Sequence, residues 1–189
     1  MTLTPLFTTL WRPRRTMEIL AEAPSRRGAA GALALGAVWA GFSGLLHLGG
    51  HAPSVTLVPI PPERYYLAQA GFAVPLWLAL WAVAARVSGI AATALGGARR
   101  PWPGAVMGYA LASPMIGLFL LPDILVYLVA GHDALGAAMK YYAPIAPLAA
   151  WALATVGLER RFELSRGRAV LAAFAGLLAQ ALLGAPLLR

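Results

Sequence analysis

Asp123 is the residue of this chain whose type and setting best suit it to chemistry. It follows Pro122 inside the apolar run 104–130. A carboxylate held within a bilayer is costly, and such groups usually serve a proton, a cation or a partner side chain. Gln180, Tyr109 and Tyr127 are polar groups in apolar surroundings that could partner it in a proton or cation site. A second reading has a helix ending near Leu121, with Asp123 capping the helix that follows, a place Asp often takes.

Other chemistries find less support. His47, His51 and His132 all fall on the expected outer side, with Glu63, Asp123 and Asp133. Zinc needs three or four converging ligands, and Gly49 and Gly50 free His47 and His51 from sharing one helix face. They read as interfacial polar groups, and no metal site is assigned. Ser43, Ser54, Ser88, Ser113 and Ser165 lack a Gly-x-Ser-x-Gly setting. Leu95-Gly96-Gly97 lacks the Lys-Ser/Thr of a phosphate loop. With no cysteine, thiol catalysis, disulfides and iron–sulfur clusters are excluded. No catalysis and no cofactor are expected.

The third chemical resource is arginine. Fourteen of the fifteen basic residues are Arg, with Lys140 the exception. Arg12, Arg14, Arg15, Arg26, Arg27, Arg99, Arg100, Arg160 and Arg161 lie in segments that border apolar runs. In that position they either set topology alone or contact anionic lipid headgroups, worth up to about 1 kcal/mol each near the surface. The formal net charge of +8 could also suit nucleic acid, but that needs a basic face on a folded domain. A membrane surface explains the placement better.

The elements that must position these residues are transmembrane helices. The chain is 60% hydrophobic and only 12% charged, and its apolar runs approach or exceed the roughly 20 residues a helix needs to cross a bilayer. An all-α membrane protein is expected, a bundle of about five transmembrane helices. The predicted spans are 28–48, 63–87, 104–130, 141–158 and 169–188, in one domain covering 28–189. Tyr65-Tyr66 and Arg86 mark the two interfaces of the second span, and the Tyr141-Tyr142 pair opens the fourth at an interface. The first span is too long for a signal-peptide apolar core of roughly 7–15 residues. Residues 1–27 form a basic, amphipathic leader, with a short helix from Arg14 to about Ala23 suited to an anionic leaflet. In the first span, Ala37 with Gly41 and Ala40 with Gly44 have the spacing of close helix packing. Ala172, Gly176, Gln180 and Gly184 share a face in the last. Span 104–130 is long, so it is either kinked at Pro114 and Pro122 or divided into a span and an interfacial helix.

Charge then orients the bundle. The leader, the 86–103 segment and the 159–168 loop hold five, three and four Arg, twelve of the fifteen basic residues. Arg64, Lys140 and Arg189 are left for the other side. Basic loops stay in the cytoplasm, which predicts a cytoplasmic N-terminus and a C-terminus outside. The Arg, Ala, Gly and Leu bias points to a bacterial cytoplasmic membrane.

Several blocks in this order resemble the YIP-type domain family, membrane proteins named for interaction with Ypt/Rab GTPases. They are Leu10-Trp11-Arg12-Pro13-Arg14, Ser88-Gly89 through Leu95-Gly96-Gly97, and Met107-Gly108-Tyr109-Ala110 through Pro114. The closing pattern is Trp151, Val156-Gly157-Leu158, Leu164-Ser165 and Arg168-Ala169. The resemblance implies a non-enzymatic, five-span protein with a cytoplasmic N-terminus, linked in eukaryotes to trafficking and membrane shaping. The leader is far shorter than in eukaryotic members, so GTPase binding is not carried over. The expected function is association with membrane lipid or an unidentified protein partner. The alternative is a small ion- or proton-coupled transporter or channel-like protein that uses Asp123.

Overall fold

The computed structural model describes residues 4–53 and 59–185. Among them the chain is helical, with no strand. Four helices are long and apolar enough to cross a membrane: Ser25–Leu48, Pro62–Ala94, Gly104–Ala130 and Arg166–Gly184. His132–Tyr142 and Ile145–Phe162, bent by 42° where they meet, pass the same test only as a pair. The protein is therefore an all-helical chain with four, or five, candidate membrane spans.

Two short helices come first. α1 is Thr4–Trp11 and α2 is Pro13–Glu22, with Pro13 in the first turn, where its missing N–H costs nothing. The leader does not stand apart from the bundle. α1 buries Leu6 and Thr9, and its Leu10 sits against Gly117 in the middle of a long helix. α2 buries Thr16, Met17, Leu20 and Ala21.

α3 spans Gly28–Leu48, the residues expected of the first span, and turns out at Gly49 and Gly50. Its close contacts are at Gly28, Gly31 and Gly36 rather than at Gly41 and Gly44. A Cβ on Gly28 or Gly31 would overlap the carbonyl oxygen of Gly104 or Gly108, and one on Gly36 would meet the backbone of Val74. Gly41 and Gly44 face open space. The four-residue spacing of small residues was real, but it lay on the outer face of the helix.

α4, Pro62–Ala94, runs seven residues past the predicted end at Val87. Arg86 looked like an interfacial marker, yet it lies over the ring of Trp102 at 4.8 Å while the helix continues beneath it. Ser88, Gly89 and Ala92 are buried. The turn comes at Leu95-Gly96-Gly97, where Gly96 takes φ +88° and Gly97 N–H returns to Ala92 O.

Gly104–Ala130 is one continuous helix in three parts: α5 (Gly104–Pro114), a π-helical segment (Met115–Leu120) and α6 (Leu121–Ala130). Every residue of α5 is buried, and its Gly and Ala residues let α3 approach closely. The predicted kink at Pro122 becomes a wide turn instead. Pro122 offers no N–H to Leu118 O and its ring crowds that carbonyl. The π segment accommodates both, with Leu121 N–H bonding Ile116 O five residues back.

α7 is Leu135–Tyr142, α8 Ile145–Phe162 and α9 Arg166–Gly184. The span predicted at 141–158 instead begins after the break at Pro144, so the Tyr141-Tyr142 pair closes α7 rather than opening α8. α8 ends on Glu163 in the left-handed region, φ 55°. In α9, Ala172 and Gly176 pack inward as their spacing suggested, with Gly176 against Ala84 and Ser88 of α4. The predicted end of this span, 186–188, and Arg189 lie outside the described residues, as does Ser54.

Helices α3, α5 and α9 begin, and α4 and α8 end, at one pole. Arginines surround that pole, and the cluster His51, His132 and Asp133 occupies the other. Small-residue packing around α5 draws the helices together toward the arginine pole. Cavities occur in both halves: one of about 530 Å³ beside Arg86, Arg100 and Trp102, and one of about 610 Å³ lined by Asp123 and His132 toward the other pole.

Candidate functional site

The continuity of the long helix decides the place of Asp123. It does not cap a helix. It lies one turn past the π segment, inside a helix that runs on to Ala130, and is only 4% exposed. Tyr142, from the end of α7, donates its hydroxyl to Asp123 Oδ1. That partner went unrecognised in the sequence because the Tyr pair read as an interfacial marker. Sequence spacing carries no signal for a contact made across the 131–134 turn.

Asp123 lines a cavity of about 610 Å³ between α3, α4, the long helix and α7. Its walls are largely aromatic and apolar: Trp39, Phe42, Tyr66 and Phe119 line it with Leu120 and Leu135. Polar groups enter at few points. Ser43 Oγ donates to Gln69 Oε1 at 2.8 Å, and Gln69 Nε2 reaches Tyr65 Oη at 3.4 Å. Gln69, a polar residue in an otherwise apolar span, was the overlooked signal in the sequence.

The three partners expected for Asp123 lie elsewhere. Tyr109 is buried in α5, 14 residues away on the same helix, a rise of about 21 Å. Tyr127 turns toward the end of α3, edge-on to Phe42 at 6.1 Å and to His51 at 5.7 Å. Gln180 lines a second, apolar cavity of about 490 Å³ with Trp77, Trp151 and Phe174. Phe119 borders both cavities and so forms part of the wall between them. It also stacks on Trp39 with centroids 6.0 Å apart.

Two of the three histidines meet. His51 and His132 stack face to face, 4.1 Å between centroids, and His132 Nδ1 lies 3.6 Å from Asp133. Among the described residues no three His, Asp or Glu side chains converge as a metal site would require.

At the opposite pole, Arg12, Arg14, Arg15, Arg26, Arg27, Arg99, Arg100 and Arg160 are exposed, and Arg166 and Arg168 join them. Arg14 pairs with Glu18 at 3.1 Å, Arg100 with Glu163 at 3.1 Å and Arg160 with Glu22 at 3.6 Å. Arg12, Arg15, Arg26, Arg27 and Arg99 form no ion pair among the described residues. Arg161 differs from all of these. It is 9% exposed and donates to the carbonyl oxygens of Ala21, Ala23 and Pro101. Its guanidinium thus joins α2, the α4–α5 connection and α8, and faces no headgroup. Sequence reasoning placed it with the surface arginines because its neighbour Arg160 and the dense charge of the loop looked alike.

The chain matches no family model, no curated protein and no solved structure. The resemblance to YIP-type proteins therefore rests on its short motifs alone.

Proposed function

We propose that this chain is a multi-pass protein of a bacterial cytoplasmic membrane, of YIP type, whose arginine pole faces the cytoplasm and associates with anionic lipid headgroups without catalysis. One observation carries the reading. Exposed arginines from the leader, the 99–100 turn and the 160–168 segment form one surface, and buried Arg161 ties three of its supporting segments together. A surface held in place by its own core presents charge without having to order itself on contact. Phe7 and Trp11, 65% and 85% exposed on α1, suit the apolar side of a membrane boundary.

The test is lipid selection by the reconstituted protein. In mixed vesicles of phosphatidylglycerol and phosphatidylcholine, lipid bound to the protein should be enriched in phosphatidylglycerol. The enrichment should fall with added salt and with joint replacement of Arg12, Arg15, Arg26, Arg27 and Arg99 by Gln. A composition equal to the bulk bilayer removes the proposal.

A second reading has its own observation. Asp123 lies within a continuous helix and opens on a cavity, which supports a cation- or proton-coupled transporter. Ion-coupled flux in proteoliposomes that is unchanged by Asp123→Asn ends that reading.

A further inference from the structure

The cavity that holds Asp123 has a chemistry of its own, independent of the arginine pole. Its volume, about 610 Å³, falls in the range of small-molecule sites. Its carboxylate is 4% exposed, and the hydrogen bond it receives comes from a neutral phenol. No Arg, Lys or His pairs with it among the described residues. A carboxylate withdrawn from water without a positive partner is unfavourable, so the group must keep its proton or take up a cation.

The surroundings say which kind. Hard metal cations take six or more oxygen ligands. This cavity offers one carboxylate, with Gln69 and Ser43 already bonded to each other and only Tyr66 and His132 as further polar side chains. No three His, Asp or Glu converge among the described residues. Trp39, Phe42, Tyr66 and Phe119 instead line it with aromatic rings. The negative face of such a ring attracts organic ammonium groups, more strongly where water is excluded. An apolar body would fill the remaining volume between these rings and the aliphatic wall.

We infer that this cavity is a binding site for an organic ammonium ion with an apolar body, its charge set against Asp123 and its body among Trp39, Phe42, Tyr66 and Phe119. The site rests on the same carboxylate as the transporter reading but requires no transport. A chain that binds without flux loses that reading and keeps this one.

Calorimetric titration of the full chain in detergent, with micelle blanks subtracted, tests it. The probe is benzyltrimethylammonium, and the comparison is neopentylbenzene, which has carbon in place of the charged nitrogen. The ammonium should bind saturably, one per chain, at least about tenfold more tightly than the neutral compound. Asp123→Asn should abolish that preference. Equal binding of the two compounds, no saturable binding of the ammonium, or a preference that survives Asp123→Asn overturns the proposal. Should Asp123→Asn not fold, Phe119→Leu takes its place. It should weaken the ammonium more than the neutral compound, and equal weakening of both overturns the proposal.

Discussion

Arg161 in α8 donates from Nη1 to the carbonyl oxygen of Ala21 in α2, joining residues 140 apart in sequence. The same guanidinium reaches Ala23 O at 3.4 Å and Pro101 O at 3.0 Å. Arg161→Ala leaves these acceptors facing a void and should destabilise the protein by about 3 kcal/mol. Arg161→Lys should recover only part, because an ammonium lacks the planar fork. Arg160→Ala removes an exposed pair with Glu22 and should change stability by less than about 0.5 kcal/mol. Chemical denaturation in one detergent compares all three. Equal losses at 160 and 161 would contradict the structural role given to Arg161.

The glycine contacts between α3 and α5 make a second prediction. Gly28→Ala and Gly108→Ala each place a methyl where backbone already stands, and each should cost about 2–4 kcal/mol through overpacking. Gly41→Ala meets open space and should be neutral or slightly stabilising, since Ala favours helix. The unfolding midpoints of the three variants decide the point. A loss at Gly41 equal to that at Gly28 would show that the outer face of α3 is covered.

How far sequence could foresee these contacts depended on their range. The Gly28–Leu48 helix was legible because Arg27 and Gly49-Gly50 bracket an uninterrupted apolar run. The end of α4 was misjudged because Arg86 resembled an interface marker, and only Trp102, sixteen residues on, makes its place beside the helix understandable. Small residues four apart are visible in sequence, but which of several such pairs meets a neighbour depends on tertiary packing. Asp123 stood out at once. Its burial, its partner Tyr142 and the aromatic cavity around it arise from four separate elements that no local pattern connects.

Glu163 provides a third prediction. It closes α8 with φ 55°, a conformation that costs a residue with a Cβ roughly 1 kcal/mol or more. Glu163→Gly should therefore stabilise the protein by about 0.5–1 kcal/mol. The lost ion pair with Arg100 offsets little, since both side chains are at least half exposed. A lowered unfolding midpoint would assign more weight to that pair than its exposure allows.

Ser113 provides a fourth. Its hydroxyl is fully buried with no hydrogen-bond partner among the described residues. Ser113→Ala removes an unsatisfied polar group for the loss of one atom, and should be neutral or stabilising by up to about 1 kcal/mol. Thermal unfolding followed by circular dichroism would detect the opposite sign.

The absence of cysteine makes orientation directly measurable. Single replacements Arg99→Cys and Asp133→Cys sit at opposite poles. In intact cells a membrane-impermeant maleimide should label Asp133→Cys alone, with Arg99→Cys labelled only after permeabilisation. The reverse pattern would invert the proposed topology and place the arginine surface outside.

The π segment Met115–Leu120 holds one residue more per turn than the α-helix on either side. In terms of register it behaves as a one-codon insertion, rotating everything from Leu121 onward by roughly 100° against an unbroken helix. An in-frame deletion of a single codon there would restore an ordinary helix, with the hydrophobic length barely altered. That deletion would leave Asp123 facing Tyr142, because an α-helix one residue shorter reaches the same rotation. Straightening the segment at full length would instead swing Asp123 out of its cavity, so polar chemistry at this pole depends on helix phase as well as on the residue at 123.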